Sequence, residues 1–387
     1  MNKKSRTTAW FLSLSLLASF MLVTSASYSV PAAYAADPTA SPTFRDIDGL
    51  PLKSITAPGS AIGPGPLGET WLYLVSSGTP SSLSVVDART GERVHDFELP
   101  GGSGSWAVDV APNGDVYIGS YGQGRLFRWV PGSSGVEDLG VAVAGETFIW
   151  SITHDAAGNI YGGTGQNGAH VFRFDPVSGT FTDFGALSTG DPLIGRGIAA
   201  AADERVYLLT AAVPRLVELD LATGVYADLD LPASADPTVG GYDLDVRGDL
   251  LFARFSGDGS PSSLHIRDLT TGEWIDEIPD THGLQLSPIA DDERTVYFVK
   301  EQTLWSYDLV ARTARPTGFS GIADVRGFDF ADLHDAAWPG QTLIGLNYLG
   351  GYFVYSLETG RSEFRQADAV PAPAPIRSMT EGPDGNL

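Results

Sequence analysis

The feature that most constrains this chain is a turn that returns about every forty-five residues. It reads Asp-x-x-Thr/Ser-Gly and appears as Asp87-Ala-Arg-Thr90-Gly91, Asp175-Pro-Val-Ser178-Gly179, Asp220-Leu-Ala-Thr223-Gly224 and Asp268-Leu-Thr-Thr271-Gly272. Degenerate copies stand at Val130-Pro-Gly132, Asp308-Leu-Val-Ala311 and Ser356-Leu-Glu-Thr359-Gly360. In chain order the steps are 43, 45, 45, 48, 40 and 48 residues. An aspartate can accept hydrogen bonds from the backbone ahead of it while glycine takes a positive φ, so each copy reads as a hairpin turn between two strands.

A second element precedes the turn in each unit. Trp106-Ala-Val-Asp-Val-Ala-Pro-Asn113-Gly114-Asp-Val-Tyr117 and Trp150-Ser-Ile-Thr-His154-Asp-Ala-Ala-Gly158-Asn-Ile-Tyr161 align without gaps at an offset of 44. Later versions are Arg196 to Tyr207 and Ile289 to Tyr297. Each is a short strand, a tight Asx/Gly turn and a strand carrying Val-Tyr or Ile-Tyr. A third strand follows, as in Arg125-Leu-Phe-Arg-Trp129, His170-Val-Phe-Arg-Phe174 and Arg215-Leu-Val-Glu-Leu219, and a fourth comes after the Asp-x-x-Thr-Gly turn. Four antiparallel strands per 40–48 residues form the blade of a β-propeller. The spacing predicts an all-β domain over 55–387 with about seven blades, beginning near Ser60, Ser105, Trp150, Ile194, Gly241, Leu284 and Val325. A coincidentally spaced β-sandwich would not show an ordered two-turn signature seven times. Ile376-Arg-Ser-Met-Thr-Glu381 starts a further copy, so either it closes the ring as an inner strand of the first blade or the chain is cut short within another blade.

The N-terminus reads as an address. Lys3, Lys4 and Arg6 precede an apolar run from Ala9 to Val23, and Ala33-Tyr34-Ala35 fits the small-x-small rule, so residues 1–35 are expected to be a secretory signal peptide cleaved after Ala35. The apolar run is short for a bilayer span, which needs about 20 residues. A Pro/Thr/Ser/Asp-rich stretch, 36–54, reads as a flexible leader. Cleavage leaves 21 basic against 47 acidic residues, a net charge of −26 where the full chain has −23. That balance argues against nucleic acid, whose affinity comes from clustered Lys and Arg. No cysteine is present, which excludes disulfides, zinc–thiolate sites and thiol nucleophiles. The expectation is an extracellular monomer without a membrane span after cleavage.

The Asp-x-x-Thr-Gly turns with their apolar flanks resemble the repeats of secreted bacterial propellers of the YVTN and quinoprotein-like groups, over nearly the whole chain after Ser54. That resemblance implies an architecture and no activity. Quinoprotein dehydrogenases carry a tryptophan after this turn. Only Asp268-Leu-Thr-Thr271-Gly272-Glu-Trp274 has one nearby, too close to the glycine, and their vicinal cysteines are impossible here, so a quinone-dependent dehydrogenase is excluded. Thr380-Glu-Gly-Pro-Asp384-Gly385-Asn also resembles repeats of the streptogramin lyases, without the aromatic-rich strand that should follow it. By analogy of fold, some seven-bladed propellers are polysaccharide lyases or glycosidases using a His or Tyr near the axis.

Propellers bind ligands at a mouth of the axial channel. The starts of the innermost strands hold Trp106, Trp150, Arg196, Tyr242, Gln285, Arg326 and Arg377. Aromatic rings stack on the apolar faces of sugars and Arg pairs with uronate carboxylates, so these residues are the candidate ligand-binding set. The competing reading packs Trp106 and Trp150 between blades, as large aromatics commonly pack. The six histidines include no metal-binding pair, and no motif supports a metal or other cofactor; calcium would need backbone carbonyls, since Asp46-Ile-Asp48-Gly49 and Ser256-Gly-Asp258-Gly-Ser260 complete no calcium loop. Gly162-Gly163-Thr-Gly165-Gln-Asn-Gly168, between two strands, reads as a close-packed loop. The function expected is binding of an extracellular glycan or cell-surface polymer at the axial mouth. The alternatives are a lyase on uronate-containing glycans and a protein-interaction scaffold. In the lyase, His154 or His170 would be the base, Tyr121 or Tyr242 the proton donor and Arg196 the neutraliser of the carboxylate; the competing reading makes both histidines ordinary structural residues.

Overall fold

Alternation along each strand decides the fold, because successive side chains point to opposite faces. In Thr70–Ser76, Trp71, Tyr73 and Val75 face one neighbour and Leu72 and Leu74 the other, and all five are buried. A sheet apolar on both faces must be covered on both, and a ring of such sheets covers every one. The computed structural model, which describes residues 53–188, 193–235, 239–256 and 262–373, has that arrangement. Seven blades follow one another in chain order, with inner strands at Gly59–Pro64, Ser105–Val110, Ile149–His154, Ile194–Ala200, Gly240–Arg247, an irregular segment at 284–289, and Val325–Ala331.

The core is divided accordingly. Among the described residues each of seven buried clusters lies between two neighbouring blades. Tyr117 and Leu126 of blade 2 meet Ile160 and Phe172 of blade 3, for example. The ring closes where Ile62, Leu72 and Leu74 of blade 1 pack on Ile344, Leu346 and Val354 of blade 7. Each large apolar side chain so buried contributes roughly 1.5–3 kcal/mol. Blade 1 has four strands of its own, Gly59–Pro64 to Arg93–Leu99, so closure needs no strand from Ile376–Glu381; that segment lies outside the described residues, as do 1–52. Lys53–Ser54, at the end of the expected leader, pairs with Ala372–Pro373.

The repeated turns have the expected geometry. Asp87 Oδ1 accepts from the amides of Arg89 and Thr90, both at 2.8 Å, and Gly91 has φ +76°. Asp175, Asp220 and Asp268 act likewise, and these amide bonds hold their carboxyls below the usual range. In the Asp308 copy Arg312 takes the glycine position at φ +54°, and its guanidinium reaches Asp268 Oδ2 at 2.7 Å. Gly162 and Gly163 lie within the strand Ile160–Thr164 and not in a loop. A Cβ on Gly162 would stand 2.3 Å from the Phe172 ring, and one on Gly163 would stand 2.5 Å from Gly195 O. Close packing accounts for these glycines; Gly162 and Gly163 belong to the strand, and Gly165 and Gly168 to the connection between Ile160–Thr164 and His170–Asp175.

Blade 6 departs from the pattern. It has three regular strands, Thr295–Lys300, Thr303–Asp308 and Thr313–Ser320, and Thr281 and His282 of blade 5 pair with its first, merging both blades into one seven-stranded sheet. Gln285 at φ +63° and Pro288, which has no N–H, keep 284–289 from forming a ladder. Side chains of blade 5 bind this segment instead. Asp243 accepts from the Gln285 amide and Asp245 Oδ2 from the Leu286 amide at 3.0 Å, while Arg247 donates to the carbonyls of Leu286 and Ser287 at 2.9 and 2.8 Å.

Two substitutions separate these devices in thermal or denaturant unfolding. Gly179→Ala meets no atom within 4 Å but forces φ +69° on an L-residue, and is expected to cost about 1 kcal/mol. Asp245→Ala strands the Leu286 amide and leaves Arg247 without its carboxylate, for roughly 3 kcal/mol. Equal costs would contradict the role given to Asp245.

Candidate functional site at the axial mouth

Five of the seven inner strands share one irregularity near their start. The register slips between Ser105 and Ala107, Ile149 and Ser151, Gly195 and Gly197, Gly241 and Asp243, and Val325 and Gly327. The residue left over at each slip is Trp106, Trp150, Arg196, Tyr242 or Arg326. A bulge of this kind releases one residue from the ladder and re-aims its side chain. All five line a single cavity of about 380 Å³ in the axial channel. Gln285, the corresponding residue of blade 6, lines it as well, and blade 1 pairs without a slip. Arg377 lies outside the described residues.

The tryptophans do not pack inside the blade interfaces; their ring centroids are 6.3 Å apart at the mouth. Phe148 stacks on Trp150 at 5.1 Å and Tyr121 on Phe148 at 5.8 Å, extending the aromatic surface outward. The Arg196 guanidinium lies 4.4 Å from the Trp106 ring centroid and 4.9 Å from that of Tyr242. It donates to Trp150 O at 3.3 Å, and among the described residues no carboxylate lies within ion-pair distance. Burial pushes its pKa below the ordinary arginine value, although an arginine stays charged. Arg326 stands 5.5 Å from Trp106 and 5.2 Å from Tyr348 and bonds Asp324, while among the described residues its Nε and Nη1 have no partner, nor has Trp150 Nε1. The mouth therefore holds two guanidiniums, each against aromatic faces, with donors unspent.

Deeper in the same cavity the lining changes sign. Asp109, Asp245 and Asp329 stand three residues past their bulges, and His154 follows on blade 3. His154 Nδ1 lies 2.8 Å from Asp109 Oδ2. Burial alone would lower the His154 pKa, but the bond to Asp109 and its charge outweigh that and raise it. Burial pushes the Asp329 carboxyl up to about 6, against the one amide bond it accepts from Phe330. Asp243 is raised as well, by burial and by Asp245.

The acid–base set expected for a lyase is gathered only in part: Tyr242 and Arg196 meet at the mouth, 4.9 Å from ring centroid to guanidinium, and the other members stand apart from them. His154 is four residues along its strand from Trp150, about 13 Å, so it lies at the other end of the channel from Arg196. His170 is off the channel, on an outer hairpin where its Nδ1 meets Asp183 at 2.9 Å. The Tyr121 hydroxyl donates to Ser77 Oγ at 2.5 Å outside the cavity lining. Sequence reasoning missed the channel carboxylates, although Val-Asp109-Val, Leu-Asp245-Val and Phe-Asp329-Phe each set one Asp between apolar residues. It also missed Arg254, which is 1% exposed and whose three nitrogens have no hydrogen bond among the described residues. The charges of Asp243 and Asp245 act on it, and its signal was an arginine inside the apolar run Leu250-Leu-Phe-Ala-Arg254-Phe. Among the described residues no three His, Asp or Glu side chains gather as a metal-binding group.

The His154–Asp109 pair is open to titration. An imidazole signal assigned with His154→Gln should titrate above 6.5 in the wild type and move down in Asp109→Asn. Because the folded pKa is the raised one, the pair's stabilisation is full below pH 6.5 and is lost as pH rises through the folded value. A stability gap between the two proteins that instead widens with rising pH would refute the pairing.

No family model matches the chain, and no curated protein matches it. Among solved structures it is similar to two forms of virginiamycin B lyase from Staphylococcus aureus. One, a catalytically inactive histidine-to-alanine variant with quinupristin, has a TM-score of 0.58 at 14% identity, covering 78% of this chain and 95% of that one. The other, selenomethionine-substituted, has a TM-score of 0.55 at 12% identity, covering 76% and 92%. At such identities the likeness bears on fold, and the chain is a β-propeller.

Proposed function

We propose that this propeller is an exported binding protein that takes a carboxylate-bearing glycan or cell-surface polymer at the axial mouth. The observation that carries the reading is the set of five bulge residues. Arg196 without a carboxylate partner and Arg326 with two unspent donors lie in a cavity walled by Trp106, Trp150 and Tyr242. Guanidiniums in a partly desolvated site favour an anion with acceptor oxygens, and aromatic edges beside them suit a sugar ring. The net charge, −23 for the full chain and −26 without residues 1–35, repels a polyanion at long range, so affinity must come from this local pair, screened from the rest by about 8 Å of Debye length in physiological salt. The N-terminal address supports export, and the repeat pattern supports the YVTN and quinoprotein-like grouping.

A lyase on uronate-containing glycans is the second reading, favoured by the His154–Asp109 pair in the same cavity. Purified protein titrated with uronate oligosaccharides and neutral ones of equal length separates the two. Binding predicts a preference for uronates that falls at least tenfold in Arg196→Gln and in Arg326→Gln, with no ultraviolet absorbance from unsaturated product. Product that appears in the wild type and vanishes in His154→Ala would replace binding with catalysis, and equal affinity for neutral glycans would defeat both.

A further inference from the structure

Along the channel three groups have no ion-pair partner among the described residues: Asp329, Arg196 and Asp243, the last of which accepts the Gln285 amide and lies in the field of Arg196 and the buried Arg254. At the deep end His154 is matched by Asp109 and Arg247 by Asp245, at 2.8 and 2.9 Å. Asp329 has no cation within ion-pair distance among the described residues and accepts only the Phe330 amide. At the mouth Arg326 is matched by Asp324, and Arg196 is the cation without a carboxylate. Arg196, Asp243 and Asp329 line one cavity, and of the two carboxylates Asp329 is the one at the deep end. Asp329 stands three residues beyond the bulge level at which Arg196 sits, an axial offset of about 10 Å at 3.3 Å per residue.

Resting on the mouth reading above, we infer that the channel selects a dipolar ligand, its carboxylate held at Arg196 and a primary ammonium held at Asp329 about 10 Å deeper. An ordinary uronate satisfies the first group and leaves a desolvated carboxylate facing it unmatched. An amine-bearing acidic glycan, or a polymer carrying free amino and carboxyl groups, satisfies both. A second cation at Asp329 replaces the hydration lost there with a charge-assisted hydrogen bond, the stronger kind. The donor set fits: Asp329 presents acceptor oxygen, and Arg247, whose charge acts on it, is occupied by Asp245 and by the carbonyls of Val246, Leu286 and Ser287. Arg326, 8% exposed with two unpartnered nitrogens, borders the same space and adds to the anion end.

Three probes of matched length test the pairing in calorimetric titrations of the purified protein: 8-aminooctanoate, octanoate and octylamine. The dipolar probe is expected to bind at least tenfold tighter than either singly charged one. In Asp329→Asn, which keeps the shape, the advantage of 8-aminooctanoate over octanoate should disappear; in Arg196→Gln both carboxylates should weaken. Equal binding of 8-aminooctanoate and octanoate to the wild type overturns the dipolar inference and leaves the mouth reading intact. An advantage that survives in Asp329→Asn overturns the assignment of the ammonium to Asp329. If no carboxylate probe binds, the mouth reading falls with it. The wild-type comparison decides by itself should a variant fail to fold.

Discussion

Apolar side chains on both faces of every blade leave this chain one way to bury itself, which is to stack each sheet between two others until the last meets the first. Interfaces such as Tyr117 and Leu126 against Ile160 and Phe172 repeat around the ring, and the blade 7–blade 1 contact through Ile344, Leu346, Ile62 and Leu72 is one more of the same kind. With no cysteine, no covalent staple shares that task. The channel exists because the blades are wedge-packed around an axis, so the site depends on the same alternation as the core.

The site is made by five local departures from that regularity. A register slip at the start of an inner strand costs a ladder position and frees one residue to face the axis. Because the slip recurs at equivalent places, Trp106, Trp150, Arg196, Tyr242 and Arg326 arrive at one level. Their small neighbours, Ser105, Ala107, Ser151, Gly195, Gly197, Gly241 and Gly327, let the backbones come close; a Cβ on Gly197 would stand 2.8 Å from the Asp243 carbonyl carbon.

Much of this was legible beforehand. Turn spacing is a local property, carried by an aspartate and a glycine four residues apart, and it placed the blade starts within a residue or so of the observed strands. The mouth residues were legible for the same reason, since equivalent positions in a repeat share a level. What escaped were features set by tertiary partners. His170 and Arg125 occupy equivalent third-strand positions, and only the facing acids Asp183 and Asp138 show that both are outer-hairpin pairs. Blade 6 lost its inner strand to Gln285 and Pro288, and its replacement by Asp243, Asp245 and Arg247 depends on a neighbouring blade.

That irregular blade has a consequence for recognition. A mouth with sevenfold symmetry would offer a ligand seven interchangeable poses, an orientational degeneracy of about 1.1 kcal/mol, or RT ln 7. Here blade 1 has no bulge, blade 6 has no inner strand, and the five remaining positions carry two tryptophans, two arginines and a tyrosine. No rotation about the axis maps the rim onto itself. An asymmetric molecule entering the channel meets a rim with a fixed compass bearing, so a fold built by repetition presents a surface on which each blade can be told from the rest.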